Sequence, residues 1–450
     1  MQRLVLCGRI VLAGVAALGG WAAGIAPPTF AREVAPVFHR HCVGCHRPGG
    51  AGPFSLLDPD EASARVRAIG RAVASQDMPP WLPAAGPVTF EDERRLTPAE
   101  LELVRRWVEA GGPVGRREEL PPAPAFPGTW QLGTPDLVVE FPEAYVLGPE
   151  GPDEYRNVVI SLPPGTNRFV RGFEFLPGNP AIHHARLLFD ATGEARRREA
   201  ADPGCGFAGT MPPAKGPPGF LLGWTPGRVP RRQPPGFAFA LDDLGDLVVQ
   251  LHLQRTGKRE RIQPRLGLFL TAERPTARPV QVGMVAQDFE LPAGEPRRVV
   301  SRTLELPVAA ELLGVMPHAH YLGGSAELVA TPPGGVPQRL LWIPRWRFHW
   351  QDEYRLARPH PLPKGTRLEM RITFDNSAGN PANPHRPPRT VRHGPESTDE
   401  MAEMWLVLGA AGEADRVELE RAGREWGWRE TVAAFTAKLQ REPGRAGYHL

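Results

Sequence analysis

The sequence predicts a multidomain protein: a small all-α domain near the N-terminus, then two antiparallel β-sandwich (jelly-roll) domains, then a short C-terminal helix. Three observations carry this. At 450 residues the chain is too long for one ordinary domain and long enough for two or three, each with its own core. Its 53 prolines and 49 glycines exceed a fifth of the chain, which disfavours long helices and favours short strands joined by turns. Helical periodicity is confined to the two ends, and short apolar runs fill the middle.

Residues 1–26 carry Arg3 and Arg9, an apolar stretch from Ile10 to Ile25, and small residues at Ala22, Ala23 and Ala26. That is the pattern of a secretory signal, so a periplasmic or secreted protein is expected. An uncleaved N-terminal anchor is the alternative, although the stretch falls just short of spanning a bilayer. No later segment is apolar enough to cross one. The formal charge is only +3, from 53 basic and 50 acidic residues that are scattered along the chain, so neither nucleic acid nor an anionic membrane surface is called for as a partner. Of the four cysteines, Cys7 goes with the signal and Cys205 is left over, a small thiol in a Gly-rich loop.

The other two cysteines stand in Cys42-Val43-Gly44-Cys45-His46. Two thiols at this spacing can add to the vinyl groups of a haem, and the adjacent imidazole can ligate its iron, which makes covalent haem c the expected cofactor. The rivals are a zinc half-site drawing on His39 and His41, and a thioredoxin-like redox pair, which needs a βαβ context. Met78, in Asp77-Met78-Pro79-Pro80-Trp81, is a candidate sixth iron ligand in a loop stiffened by proline. Thr97-Pro98-Ala99-Glu100 begins a helix with Thr97 as N-cap and Pro98 in its first position. Leu101, Val104, Trp107 and Val108 follow at helical spacing, and Gly111-Gly112 ends the run. Together, a helix before CxxCH, CxxCH itself, the Gly52–Leu56 segment, MPPW and the last helix resemble, from about Arg32 to Pro113, the small cytochrome c domains of exported bacterial proteins, and place such a domain at residues 27–117.

Residues 118–135 contain ELPPAPAFP, stiff, extended and unable to pack a core, and read as a linker. Beyond it, apolar runs at 137–141, 157–160, 185–189, 247–251, 266–270 and 368–372 alternate with Pro- and Gly-rich turns. They place one sandwich at 136–280 and another at 281–410. A helical tail occupies 411–450, with Trp426, Trp428, Val432 and Phe435 expected to pack back on the body.

The histidines beyond the linker cluster at strand positions. His183 and His184 are adjacent, and because successive strand residues face opposite ways, both reach one metal only if the strand is bulged or has ended there. His252 follows the run 247–251. His318 and His320 are two apart, which on a strand sets both imidazoles on one face. Imidazoles without neighbouring carboxylates or thiolates suit copper or zinc, and a thioether tilts the choice to copper. His349, His385 and His393 lie in loops flanked by Arg, Trp or Pro and are read as solvated, with His393, eight residues before Met401, as an alternative lining of the cleft; Tyr321 and Trp405 neighbour the proposed ligands as cleft walls.

The order of these segments resembles the catalytic core of the copper type II, ascorbate-dependent monooxygenases, the family of peptidylglycine alpha-hydroxylating and dopamine beta-monooxygenases. Ile182-His183-His184-Ala185-Arg186-Leu187-Leu188-Phe189 is similar to its HHMLLF segment and Val249–Leu253 to the strand bearing its third histidine. Pro317-His318-Ala319-His320-Tyr321-Leu322-Gly323 resembles HxHxLG, and Ser397-Thr398-Asp399-Glu400-Met401 the segment supplying a methionine. The resemblance implies two copper ions, one on His183, His184 and His252 that passes electrons, and one on His318, His320 and Met401 that meets O2 and a C–H bond of a small organic substrate. The chain departs from the family at Met316, where the peptide-hydroxylating enzymes have an arginine for a substrate carboxylate, and in lacking cysteines for the family's disulfides. The implied function is a copper monooxygenase whose haem passes electrons from an external donor to His183, His184 and His252. The alternatives are an electron-transfer or copper-binding protein using the sandwich for docking or sensing, and a structural sandwich with lost sites.

Overall fold

In a computed structural model the chain is described over residues 26–441, apart from 51, 127, 163–168, 211, 218, 220 and 242–244. The apolar stretch read as an export signal, with Cys7, lies outside the described residues. Among the described residues no helix is long and apolar enough to cross a membrane.

The N-terminal part is helical, but in short pieces: a π turn at Phe30–Val34, then Ala35–His41, Pro59–Ala64, Val66–Ala74 and Pro98–Glu109. Thr97 and Glu100 form a reciprocal capping box at the start of the last helix, as the sequence predicts. Phe30, Phe38 and Trp107 meet edge-on or tilted, with ring centroids 5.8–6.0 Å apart, and are buried. Gly112 ends the helix with φ +72°, where a Cβ would meet Val66 at 2.9 Å.

This part is not a self-contained all-α domain. Between its third and fourth helices the chain leaves the helical core and builds into the second sandwich, where Trp81, Leu82 and Phe90 are buried among sandwich residues. Trp81 meets Tyr354 edge-on at 5.4 Å, the Ala84 amide donates to the Trp342 carbonyl, and Phe90 makes an antiparallel bridge to Leu356. The linker is docked rather than free: Phe126 packs on the helical core under the Arg47 guanidinium, and the Gln131 and Leu132 amides donate to the Glu174 carboxylate.

Each predicted strand run lies in or overlaps a strand. The first sandwich opposes a four-stranded sheet to a five-stranded one, and the second opposes two four-stranded sheets. All pairings within these sheets are antiparallel. Strand Val280–Ala286 alternates buried and partly exposed residues, as a sheet with one solvated face must. In Asp246–Leu253 every residue after the first is buried. The helix Glu194–Ala201 and a small core of Val159, Leu188, Ala195, Phe207 and Val248 cover its second face.

The C-terminal helix spans Glu413–Arg441. Trp426 is buried and donates its indole N–H to the Thr303 carbonyl. Trp428, two residues on and so on the other side of a helix, is 61% exposed, contrary to the sequence reading.

Candidate metal centres

Strand Ile182–Asp190 pairs with Asp246–Leu253, and the register shifts between Ile182 and His184. This is the bulge that the adjacent histidines require. His184 stands directly across from His252, and the rings of His183, His184 and His252 lie 4.8–5.3 Å apart, centre to centre.

Their hydrogen bonds sort the ring nitrogens. His252 Nε2 lies 2.9 Å from the Asp153 carboxylate. Burial works against the charge on Asp153, but bonds from His252, Ser397 and Gln254 outweigh it and hold the group down at about 2. An ionised Asp153 accepts the hydrogen bond from His252 Nε2–H, which leaves the Nδ1 lone pair of His252 facing His184 Nε2 at 3.1 Å. His183 Nε2 is buried with no hydrogen-bond partner. Burial, then the neighbouring imidazoles, push His183 down to about 3 and His184 well below the usual range, so both are neutral and have lone pairs at neutral pH. Tyr155 stacks on His252 at 4.3 Å and donates its hydroxyl to the Pro395 carbonyl of the second sandwich.

His318 is the last residue of strand Ala310–His318, whereas His320 lies beyond its end. The two rings meet at 5.2 Å and 84° because the chain leaves the sheet, not because they alternate along a strand. Each is oriented from behind: His318 Nδ1 is hydrogen-bonded to the Gln351 side-chain oxygen, and His320 Nδ1 lies 3.2 Å from the Asp399 carbonyl. An Nδ1–H given to an oxygen leaves Nε2 free as a ligand. Met401 immediately precedes strand Ala402–Gly409, whose Glu403 is registered opposite His318. This places Met401 beside the chain that carries both histidines.

The two histidine groups share a wall that the sequence did not reveal. Phe348 stacks on His183 at 4.3 Å and lies 5.5 Å from His320. His349, read as a solvated loop residue, brings its ring to 6.1 Å from His183 and 5.8 Å from Tyr321. His385 bonds the Thr398 carbonyl, whereas His393, half-buried against Phe289, lies close enough to His318 to feel its charge. No local signal marks Phe348 or Gln351, which sit in an aperiodic, charged loop.

Among the described residues, no three or more His, Cys, Asp and Glu side chains are closed up enough to hold a metal ion as they stand. The histidine rings pack against one another, and two of their nitrogens satisfy each other. The donor set itself fits a metal: neutral imidazoles, one orphaned buried nitrogen, and oxygen acceptors behind three of the rings.

Cys42 and Cys45 form no disulfide and lie in the turn after helix Ala35–His41. Burial, then the nearby Cys45 and Glu100, pushes Cys42 up to about 12. A thiol at a helix C-terminus is held protonated, the opposite of a thioredoxin-like pair. The zinc alternative is weakened as well, since His41 Nε2 is taken by Glu100 at 3.2 Å. His46 is buried, with Nδ1 3.2 Å from the Phe54 carbonyl, which again leaves Nε2 as the free lone pair. Gly52 allows this approach, because a Cβ there would meet His46 Nδ1 at 2.7 Å. Met78 is half-buried at the start of the arm that enters the second sandwich, its amide bonded to the Ala72 carbonyl. Cys205 is buried, its thiol against the Glu143 carbonyl, and belongs to neither site.

No family model matches the sequence, and no curated protein matches it. Solved structures that align with it include the major capsid protein P2 from bacteriophage PM2, at 7% identity and a TM-score of 0.27, over 62% of this chain and 98% of that one. The VP2 subviral particle of infectious bursal disease virus aligns at 9% identity and a TM-score of 0.18, over 62% and 60% of the two chains. PBCV-1 VP54, fitted into the virophage Sputnik, aligns at 10% and 0.22, over 61% and 95%. Scores this low carry no argument about what the chain does.

Proposed function

We propose that this chain is an exported haem- and copper-dependent oxidoreductase that hydroxylates a C–H bond of a small organic substrate with O2. The observation that supports it most is the gathering of His183, His184 and His252 from one sandwich with His318 and His320 from the other, around Phe348, whose ring meets a histidine of each group.

On this reading Cys42, Cys45, His46 and Met78 would hold haem c; His183, His184 and His252 would hold one copper, and His318, His320 and Met401 the other. These groups, when bound, supply one-electron storage and O2 chemistry. The chain's own part is orientation. Asp153 fixes the His252 tautomer, Gln351 and the Asp399 carbonyl fix His318 and His320, and Phe54 fixes His46. The His183 ring loses no hydrogen bond at Nε2 on turning toward an ion.

One observation favours a second reading, an electron-transfer or copper-binding protein that does not hydroxylate. Phe348 packs against His183 of one group and His320 of the other, so an apolar ring rather than an open cleft meets both.

Metal analysis and electron paramagnetic resonance of the purified protein test the assignment, with His252→Ala and Met401→Ala beside the parent. About one haem iron and about two coppers per chain are expected, each substitution altering about one copper's signal. Zinc in place of copper, or iron alone, refutes it. O2 uptake with hydroxylated product separates the first reading from the second, which gives haem oxidation without product.

A further inference from the structure

The segment 345–352 touches three things at once. On one side it binds the residues flanking Met78: Arg345 bonds the Gln76 side chain, and Arg347 Nε lies 3.2 Å from the Asp77 carboxylate. Farther along the arm, Arg94 donates to the Pro80 carbonyl at 2.8 Å and to Asp352 at 3.2 Å. Arg94 is also close enough to Cys45 to act on its thiol electrostatically.

On its other side the same segment supports both histidine groups. Phe348 stacks on His183 and faces His320, and Gln351 bonds His318. The Gln351 Nε2 donates to the Phe348 carbonyl at 2.8 Å, so the two supports are tied together. The first sandwich closes the junction. Thr225 donates to the Gln351 carbonyl, and at Gly227 an added Cβ would meet Pro80 and Trp350, each at 3.1 Å.

We propose that segment 345–352 is the bridge through which electrons pass from the Cys42-Cys45-His46/Met78 end to the histidine groups, with Phe348 as the ring that serves both groups. The inference rests on the reading of these sites as haem and copper, and it moves the point of arrival. The sequence sends electrons to His183, His184 and His252 alone, whereas Phe348 touches a histidine of each group. The step balances as one electron leaving a ferrous haem, which becomes ferric, and reaching a cupric ion, which becomes cuprous; no bond is made or broken and no proton moves. An external one-electron reductant restores the ferrous haem. Phe348, Arg347 and Asp77 are positioning residues here, since none of them is a ligand.

The test uses the full chain loaded with haem and copper, without O2 or substrate. A flavin photoreductant reduces the haem in a flash, and haem reoxidation is followed by absorbance, with cupric signal loss read in frozen samples. The parent should reoxidise at a rate independent of protein concentration. Phe348→Leu should slow that rate severalfold while haem potential and copper content hold. Asp77→Arg should also slow it, and the double change Asp77→Arg with Arg347→Asp should restore it; this pair is partly exposed, at 45% and 39%, so folding is spared. Unchanged rates in Phe348→Leu and Asp77→Arg, with both cofactors present, overturn the bridge and leave the site assignment standing. A chain that binds no haem or no copper overturns both.

Discussion

Replacing Trp81 by alanine tests whether the arm is part of the second sandwich's core. The ring is 8% exposed and meets Tyr354 at 5.4 Å and Phe90 at 6.2 Å, both near edge-on. A buried tryptophan removes about 150–250 Å² from water, about 4–6 kcal/mol at about 25 cal/mol per Å². Alanine keeps part of that contact, so the expected loss is about 3–5 kcal/mol for a core Trp→Ala change. Urea unfolding followed by far-ultraviolet circular dichroism reads the sandwich transition, and limited proteolysis reads cleavage between residues 79 and 94. Trp428→Ala is the control, since that ring is 61% exposed and its loss should fall within about 0.5 kcal/mol. A Trp81→Ala loss no larger than the control's, with no new cleavage, would refute the burial of the arm.

Two further outcomes follow from single hydrogen-bond partners. Gln351→Ala removes the acceptor behind His318 Nδ1 and should weaken copper binding about 10- to 100-fold, measured by competition with a chelator, whereas Gln351→Glu keeps an acceptor and should hold affinity. Glu100 is held down at about 2 against an ordinary 4.5: burial opposes its charge, but bonds from Thr97, Arg40 and His41 outweigh it. A depressed folded-state value means stability present above about pH 4.5 and lost as pH falls toward about 2. The urea midpoint of the helical part should therefore drop between pH 5.5 and pH 3, and Glu100→Gln should flatten that drop.

Legibility in the sequence followed from whether a feature is local. Thr97 and Glu100 are three residues apart and cap their own helix, so composition at fixed offsets is enough to find them. The runs at 247–251 and 368–372 announce strands because β-branched and apolar residues fit a pleated, buried surface wherever it lies. His183 and His184 gave a conditional prediction, a bulge or a strand end, and the register shift at Ile182/His184 meets the condition. Spacing alone brings His318 and His320 to one face of a strand, but the strand stops between them and the turn beyond it does so instead.

By itself the sequence determined the elements, the CxxCH segment with Met78, and the set of histidines, because each is written in neighbouring residues and short-range chemistry. Only the tertiary structure decided that Trp81 fills a core formed with Tyr354, and that Phe348 and Gln351 hold histidines from two sandwiches. Those contacts join residues hundreds of positions apart or lie in aperiodic loops. They are selected by shape, desolvation and hydrogen-bond geometry between finished surfaces, which leave no period and no motif in the chain.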